Sequence, residues 1–558
     1  FGSSPFGLTS FQVWSQRHHP ELPMRPSASR HGGSAAVIAV ACALFRECAE
    51  ASTEPVCKAG TNCQAPAEKG PYYWPKRGGD QMATSASPYV GPKDFSKEPA
   101  WVWKNENDEL FRHGPSIDGE GNVYIVTAMG WVRKFSPDGE LIWTWRTTLE
   151  EGRIQVCLAL HEGSIYFASI GIGAGGTLIS LDMATGQTNW KTFMKDFFTN
   201  GDSHTTFITN GTVLLAGMDI DKPLPYEGNN KVHARSLADG TFLWDFHIDG
   251  AVWNFMPSTP GDGTILFSTH GGRAHRLDVT TGKLIWKAGF EEYSWQGTGG
   301  GALGPNGVFY AVSNVYGPPG QDRAALDMEP CSLANCHEGP GAIIAYQVSD
   351  GKILAHKRSH HMGMQYPAVG KIGDRLMVVA GMGQNPNLVH SIFEGPLGWV
   401  PGFGWLKRLF FELQLRSSWL RRYIGIPILK GAVLALDAKT LATVWSFDDE
   451  PFDNFAAGGD EERFFRNVEK QKLDHREEVM CGPDSWGIPI IAGDGTVYAS
   501  SGTNGNLYAI NDRDGNGVID KTEWSVFRAG IAFLNAPALA PGMLAVAPCW
   551  GPMYVFKG

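Results

Sequence analysis

Hydrophobic and polar positions alternate along this chain in short runs, the two-residue period of half-buried strands. Each run is punctuated by Asp, Thr and Gly. The stretch Leu277-Asp278-Val279-Thr280-Thr281-Gly282-Lys283-Leu284-Ile285-Trp286 holds the whole unit. An apolar residue closes one strand, Asp-x-x-Thr-Gly makes the turn, and a second strand ends on Trp. Gly supplies a positive φ and Asp bonds back to the turn backbone, so the stretch predicts a β-hairpin.

The unit recurs from Phe135 to Trp143, Leu181 to Trp190, Leu237 to Trp244 and Leu436 to Trp445. A weaker copy, Val348 to Leu354, has His356 near the Trp position. Another starts at Ile510-Asn511-Asp512 and reaches Trp524 through a longer turn. A last unit, Ala536 to Phe556, lacks both the turn and the Trp strand, and the strand it lacks is present at Pro99-Ala100-Trp101-Val102-Trp103. A β-sandwich or two separate domains would not explain a regular repeat. The expected fold is all-β: an eight-bladed β-propeller over 95–558, with the N-terminal strand closing the last blade. Closure removes exposed sheet edges. Insertions are expected at about 317–340, 385–430 and 448–485, some of them short helices.

These units resemble the pyrroloquinoline quinone (PQQ)-type propeller repeat, whose pattern is Ala-x-Asp-x-x-Thr-Gly-x-x-x-Trp. The resemblance covers roughly 95–558. It implies the quinoprotein alcohol dehydrogenase-like superfamily, which holds both dehydrogenases and non-enzymatic scaffolds such as the bacterial outer-membrane barrel-assembly lipoprotein. Fold alone therefore does not decide function. A dehydrogenase of this kind is expected to clamp its quinone with a vicinal Cys-Cys ring and stack a Trp on it. A carboxylate and an amide hold its calcium, and an Asp acts as base. This chain has no adjacent cysteines, and no cofactor carboxylate can be matched. Trp253, Trp295 and Trp486 fall near unit starts and are candidates for lining the channel, although Trp is also the repeat's docking residue.

The chain has 558 residues, 69 of them Gly and 19 Trp, which suits many short strands and turns. Its net charge of -10 gives little support to a nucleic-acid partner. Residues 1–23 read as translated leader, and 24–51 as a signal peptide: Arg25 and Arg30, an apolar run from Ala35 to Phe45, then Ala49 and Ala51. The run is too short to span a bilayer. An organelle-targeting or uncleaved anchor segment is the rival reading. Cys57 with Cys63, and Cys331 with Cys336, suit local disulfides and an oxidising compartment on the secretory route. Of Cys157, Cys481 and Cys549, at least one is left unpaired or intermolecular. Residues 52–94 read as an extended tether that wraps the ring. Asn210-Gly211-Thr212 is a sequon, but Asn-Gly reads first as a hairpin turn.

The sharpest chemical motif is Asp512 to Glu523. It follows the twelve-position EF-hand loop, with Asp512, Asp514 and Asn516 at alternating positions. Gly517 serves the sharp turn, the Val518 carbonyl and Asp520 follow, and Glu523 closes. Strands rather than helices flank it, so it is expected to be a calcium-binding hairpin that stabilises one blade. Calcium is the expected structural cofactor, and PQQ lacks the support of a vicinal cysteine pair. Cys331 to His337 has four residues between its cysteines where haem attachment needs two, which favours a disulfide loop. Ser359-His360-His361-Met362-Gly363-Met364-Gln365-Tyr366 carries copper or zinc ligands, but one isolated cluster reads rather as polar channel lining.

Residues 404–424 place apolar side chains at 406, 409, 410, 413, 420 and 424, a helical spacing. Lys407, Arg408, Arg416, Arg421 and Arg422 stand against a single Glu412. This composition suits a helix on a membrane surface or a protein partner, or one packed on the propeller's side. A second helix is expected over 459–470, capping the ring with a solvated charged face. The reading that follows is a secreted propeller acting as a binding or assembly scaffold. The alternative is a quinone-dependent oxidoreductase with a diverged site.

Overall fold

The computed structural model describes residues 72–558, apart from 172–174, 200–203, 223–227, 290–298, 315–340, 385–403, 425, 427, 471–477 and 482–483. The disulfide loops expected at Cys57/Cys63 and Cys331/Cys336, and Trp295, lie outside the described residues.

The chain forms an eight-bladed β-propeller. In blade 1 the strands Ser116–Ile117, Val123–Val126, Trp131–Phe135 and Leu141–Arg146 run in order from the axis to the rim. Blade 8 takes Ala538–Ala540, Met543–Val546 and Met553–Lys557 from the end of the chain and Trp101–Trp103 from its beginning. Trp101 pairs with Val555 and Trp103 with Met553, antiparallel, as the repeat count required. Blade 4 reaches its fourth strand through a bridge between Ser258 and Leu266.

The repeat motif explains how blades dock. Asp278 Oδ1 accepts from the Thr281 N–H and hydroxyl, both at 2.7 Å, and the same pair holds the turn at Asp182 with Thr185. Gly282, at φ +68, lies under the tryptophan of the preceding blade: a Cβ there would sit 2.5 Å from the Trp244 ring. The Trp244 indole N–H donates to the Val279 carbonyl at 2.8 Å. Trp143 bonds to the Met183 carbonyl in the same way, and Trp286 to Val348. The register of blade 5 puts Ala355 at the tryptophan position, one residue before the exposed His356, and the following turn has Leu441 in place of Gly. Leu441 is fully buried in the space a tryptophan fills elsewhere, although its φ is +56. The Asn210-Gly211 pair is the hairpin turn expected, with φ +48 and +69 at the two residues, as a type I′ turn needs.

Among the described residues the insertions carry three helices: α1 (Gly404–Arg416), α2 (Ser418–Tyr423) and α3 (Glu461–Glu469). The helix expected over 404–424 breaks at Ser417, whose hydroxyl caps α2 by accepting from the Leu420 N–H at 3.2 Å. Helix α3 caps the ring through Phe464 and Phe465, which are buried with Phe411, Phe455 and Met480. Its charged run is less solvated than expected, because Arg463 lies 3.6 Å from the Trp550 ring centroid and pairs with Asp108. Cys481 and Cys549 form a disulfide tying this insertion to blade 8, and Cys157 is buried with its sulfur 3.2 Å from His113 Nδ1.

The tether departs from expectation. Residues 72–90 do not wrap the outside of the ring; they run through its centre. Trp74 bridges Ile117 of blade 1, and Ala86 bridges Ile491 of blade 7.

Candidate functional site

The blade 7 loop lies between Asn506–Ile510 and Trp524–Arg528. Side-chain oxygens of Asp512, Asp514 and Glu523 come within 4.8 Å of one another. Glu523 is buried, and its Oε1 accepts from the Arg513 N–H at 2.7 Å, its Oε2 from the Asp520 N–H at 3.2 Å. Asp512 Oδ2 accepts from the Gly517 N–H at 3.2 Å, while its Oδ1 is buried with no hydrogen-bond partner. Gly515 and Gly517 both have positive φ, and Ile519 packs into the blade with Val444 and Trp524. Other predicted ligands are turned to local contacts. Asn516 bonds Asp514 at 2.6 Å, the Val518 side chain is exposed, and Asp520 Oδ1 accepts from the Thr522 N–H and hydroxyl at 2.7 Å. Those Thr522 bonds hold the Asp520 carboxyl below the usual range. An orphaned carboxylate oxygen beside two more carboxylates, all hard donors, suits a hard cation.

The second candidate is the outer face of α1 and α2. Phe411 turns inward, its ring 4.3 Å from Phe465. Trp405, Leu406, Leu409, Leu413, Trp419 and Tyr423 face solvent, with Trp419 71% and Tyr423 76% exposed and stacked at 5.3 Å. Arg408 is committed to Glu412 and Glu462, and Arg421 to Asp453. Arg416, with 82% of its side chain exposed, and Arg422 remain at the rim of the apolar face. No helix among the described residues is long and apolar enough to cross a membrane.

The third is the axis, where a quinone would be sought. Arg77 Nη2 donates to Gln365 Oε1 at 2.7 Å, and Gln365 in turn bonds Asp484. The Arg77 guanidinium lies 5.5 Å from the Tyr366 ring centroid. All four residues are buried. The His/Met cluster therefore lines the axis through Gln365 and Tyr366, while Met362 and Met364 are buried and His360 is exposed. Among the described residues the only metal-capable carboxylate, His or Cys group is that of the blade 7 loop. Trp486 is a packing residue between blades 6 and 7, against Gly381 and Tyr508. Trp253 sits edge-on to His270 at 5.1 Å, and burial pulls the His270 ring down to about 3, so it is neutral.

This architecture is an eight-bladed propeller whose repeats are similar to the PQQ-like type. Residues 99–251 match the family described as outer membrane protein assembly factor BamB. No curated protein matches the sequence. Among solved structures the chain is similar to quinohemoprotein alcohol dehydrogenase from Comamonas testosteroni. The two are 13% identical over 87% of this chain and 80% of that one, with a TM-score of 0.52. It is also similar to a europium-containing methanol dehydrogenase, 12% identical over 88% of this chain and 99% of that one, with a TM-score of 0.52. At these identities the likeness concerns the fold.

Proposed function

We propose that this propeller is a binding or assembly scaffold of an oxidising, secretory-route compartment. In this reading calcium orders the blade 7 loop and the α1–α2 face is the contact surface. The observation that carries the reading is the filled axis: Arg77, Gln365, Tyr366 and Asp484 are buried against one another by the chain's own segment, in the region where a quinone enzyme needs an aromatic platform and free polar groups. The Cys481–Cys549 disulfide is compatible with the compartment. Asp512, Asp514 and Glu523 would hold the calcium directly, with the Val518 carbonyl, Asn516 and Asp520 completing the shell by turning inward or through water. The α1–α2 face offers a protein partner or membrane surface Trp, Tyr and Leu side chains rimmed by Arg.

The test titrates the purified propeller with PQQ in calcium buffer, followed by tryptophan fluorescence, and sediments it with anionic vesicles before and after deletion of 404–424. The scaffold reading expects no saturable quenching and a loss of vesicle or partner binding on deletion. Saturable quenching would instead favour the quinone-dependent oxidoreductase.

A further inference from the structure

The innermost strand of every propeller blade is a sheet edge, with backbone N–H groups pointing at the axis and no strand beyond them to accept. Here one short segment reaches seven of the eight blades through main-chain hydrogen bonds. The Trp74 carbonyl accepts from Ile117 N–H at 2.8 Å in blade 1, and Pro75 from Leu160 at 2.9 Å in blade 2. Gln81 accepts from Thr259 at 2.9 Å in blade 4 and Met82 from Leu303 at 2.9 Å in blade 5. Thr84 accepts from Val369 at 2.7 Å in blade 6 and Ser85 from Ile491 at 3.0 Å in blade 7, while Val90 accepts from Gly542 at 2.8 Å in the turn that follows the innermost strand of blade 8. Blade 3 is reached by a side chain: Gln81 Nε2 donates to the Ile208 carbonyl at 3.1 Å.

Side chains add selectivity to this main-chain recognition. Trp74 is buried with Phe111 and Ile117, and Met82 with Leu303 and Phe309. Ala83, fully buried, meets Met256, Tyr366, Ile488 and Ala536, which come from four different blades. The turn that brings the segment round uses Gly78 at φ +82, where a Cβ would lie 2.9 Å from Met256 Sδ. Asp80 Oδ1 locks the turn by accepting from the Thr84 N–H at 3.0 Å.

We propose that the axial channel is a peptide-binding site, and that residues 72–92 are its resident ligand. The class of ligand is an extended peptide carrying a basic residue, a Gly-Gly turn and large apolar anchors on either side. Affinity comes from a main-chain hydrogen bond to each of seven blades and a side-chain bond to the eighth, the logic of strand addition applied around a ring. The site is independent of the α1–α2 face and of the calcium loop.

The test uses the full chain. A protease site is inserted between Lys97 and Glu98, both exposed. After cleavage the axial segment should still co-elute with the ring on gel filtration. A fluorescent peptide of residues 72–92 in excess should then replace it, with saturable anisotropy. The same peptide carrying Gly78→Val and Met82→Asp should bind about tenfold weaker or worse, a loss of roughly 1.4 kcal/mol. Equal binding by the altered peptide, or no exchange at all, would overturn the proposal. So would a ring that loses its fold on nicking before any peptide is added, because the segment would then be core and not ligand.

Discussion

The turns joining the two outer strands of blade 4 and of blade 7 occupy the same place in the repeat and are held in different ways. In blade 4, Asp278 is answered by Thr281, and the Trp244 indole by the Val279 carbonyl. In blade 7 the loop is longer, Asp512 Oδ1 has no partner, and the indole N–H of Trp445, coming from blade 6, is buried without an acceptor. A turn lengthened past the tryptophan-over-glycine contact loses the bonds that order its relatives. Three converging carboxylates cannot replace them unaided, since like charges at such distances repel. The short turn is complete within the protein, and in the proposed function a cation would complete the long one.

The most damaging way to break the comparison is Gly282→Val. A left-handed β-branched residue driven against Trp244 should cost about 3 kcal/mol, read as a lower urea midpoint and unaffected by chelator. Next comes calcium itself. At a hundredfold excess over its dissociation constant it should stabilise the protein by about 2.7 kcal/mol. Chelator should remove that increment, and Asp512→Ala should make melting indifferent to calcium. Superimposable wild-type melts in calcium and in chelator would sink the site. Blade 6 offers a sharper test of the short-turn logic. Leu441→Gly should cost about 2 kcal/mol through the emptied volume, and adding Ala355→Trp should recover part of it by restoring the missing pair.

The smallest effect belongs to Thr281→Val, about 0.5 kcal/mol at neutral pH because the turn is exposed. Its sign with pH is fixed. The Thr281 hydroxyl and N–H hold Asp278 below the usual carboxylate range. The stabilisation is therefore full above the ordinary carboxylate pKa and is lost as pH falls through the lower folded value. The gap between variant and wild type should narrow on acidification, measured by chemical denaturation at several pH values.

The blades were legible in the sequence because their docking chemistry is written in side chains. Asp, Thr, Gly and Trp each have one job at one position, and the strand borrowed at Trp101–Trp103 followed from the missing one. The place of the blade 7 loop between two strands was legible for the same reason, and within it Asp520 and Asn516 bond locally. Helix α1 was legible as a stripe but not as an orientation. Leu406, Leu409 and Leu413 are the exposed side, because Phe411 and Leu415 are the residues that reach the aromatic cluster. The axial segment was read as a tether because it binds through carbonyl oxygens, which every residue has. Its one sequence cue was Gly78-Gly79. The Cys481–Cys549 bridge could not be chosen among three remaining cysteines by spacing alone.

The blade shared between Trp101–Trp103 and Met553–Lys557 also sets a timetable. The strand made earliest must wait for the strand made last, and the polypeptide between them must be kept from pairing wrongly throughout synthesis. Seven blades can form locally as they emerge, but the ring becomes a ring only at the end. Its slow step should be a closure over the whole chain, and the unmatched edges of blades 1 and 8 are where an unfinished molecule is most exposed to its neighbours.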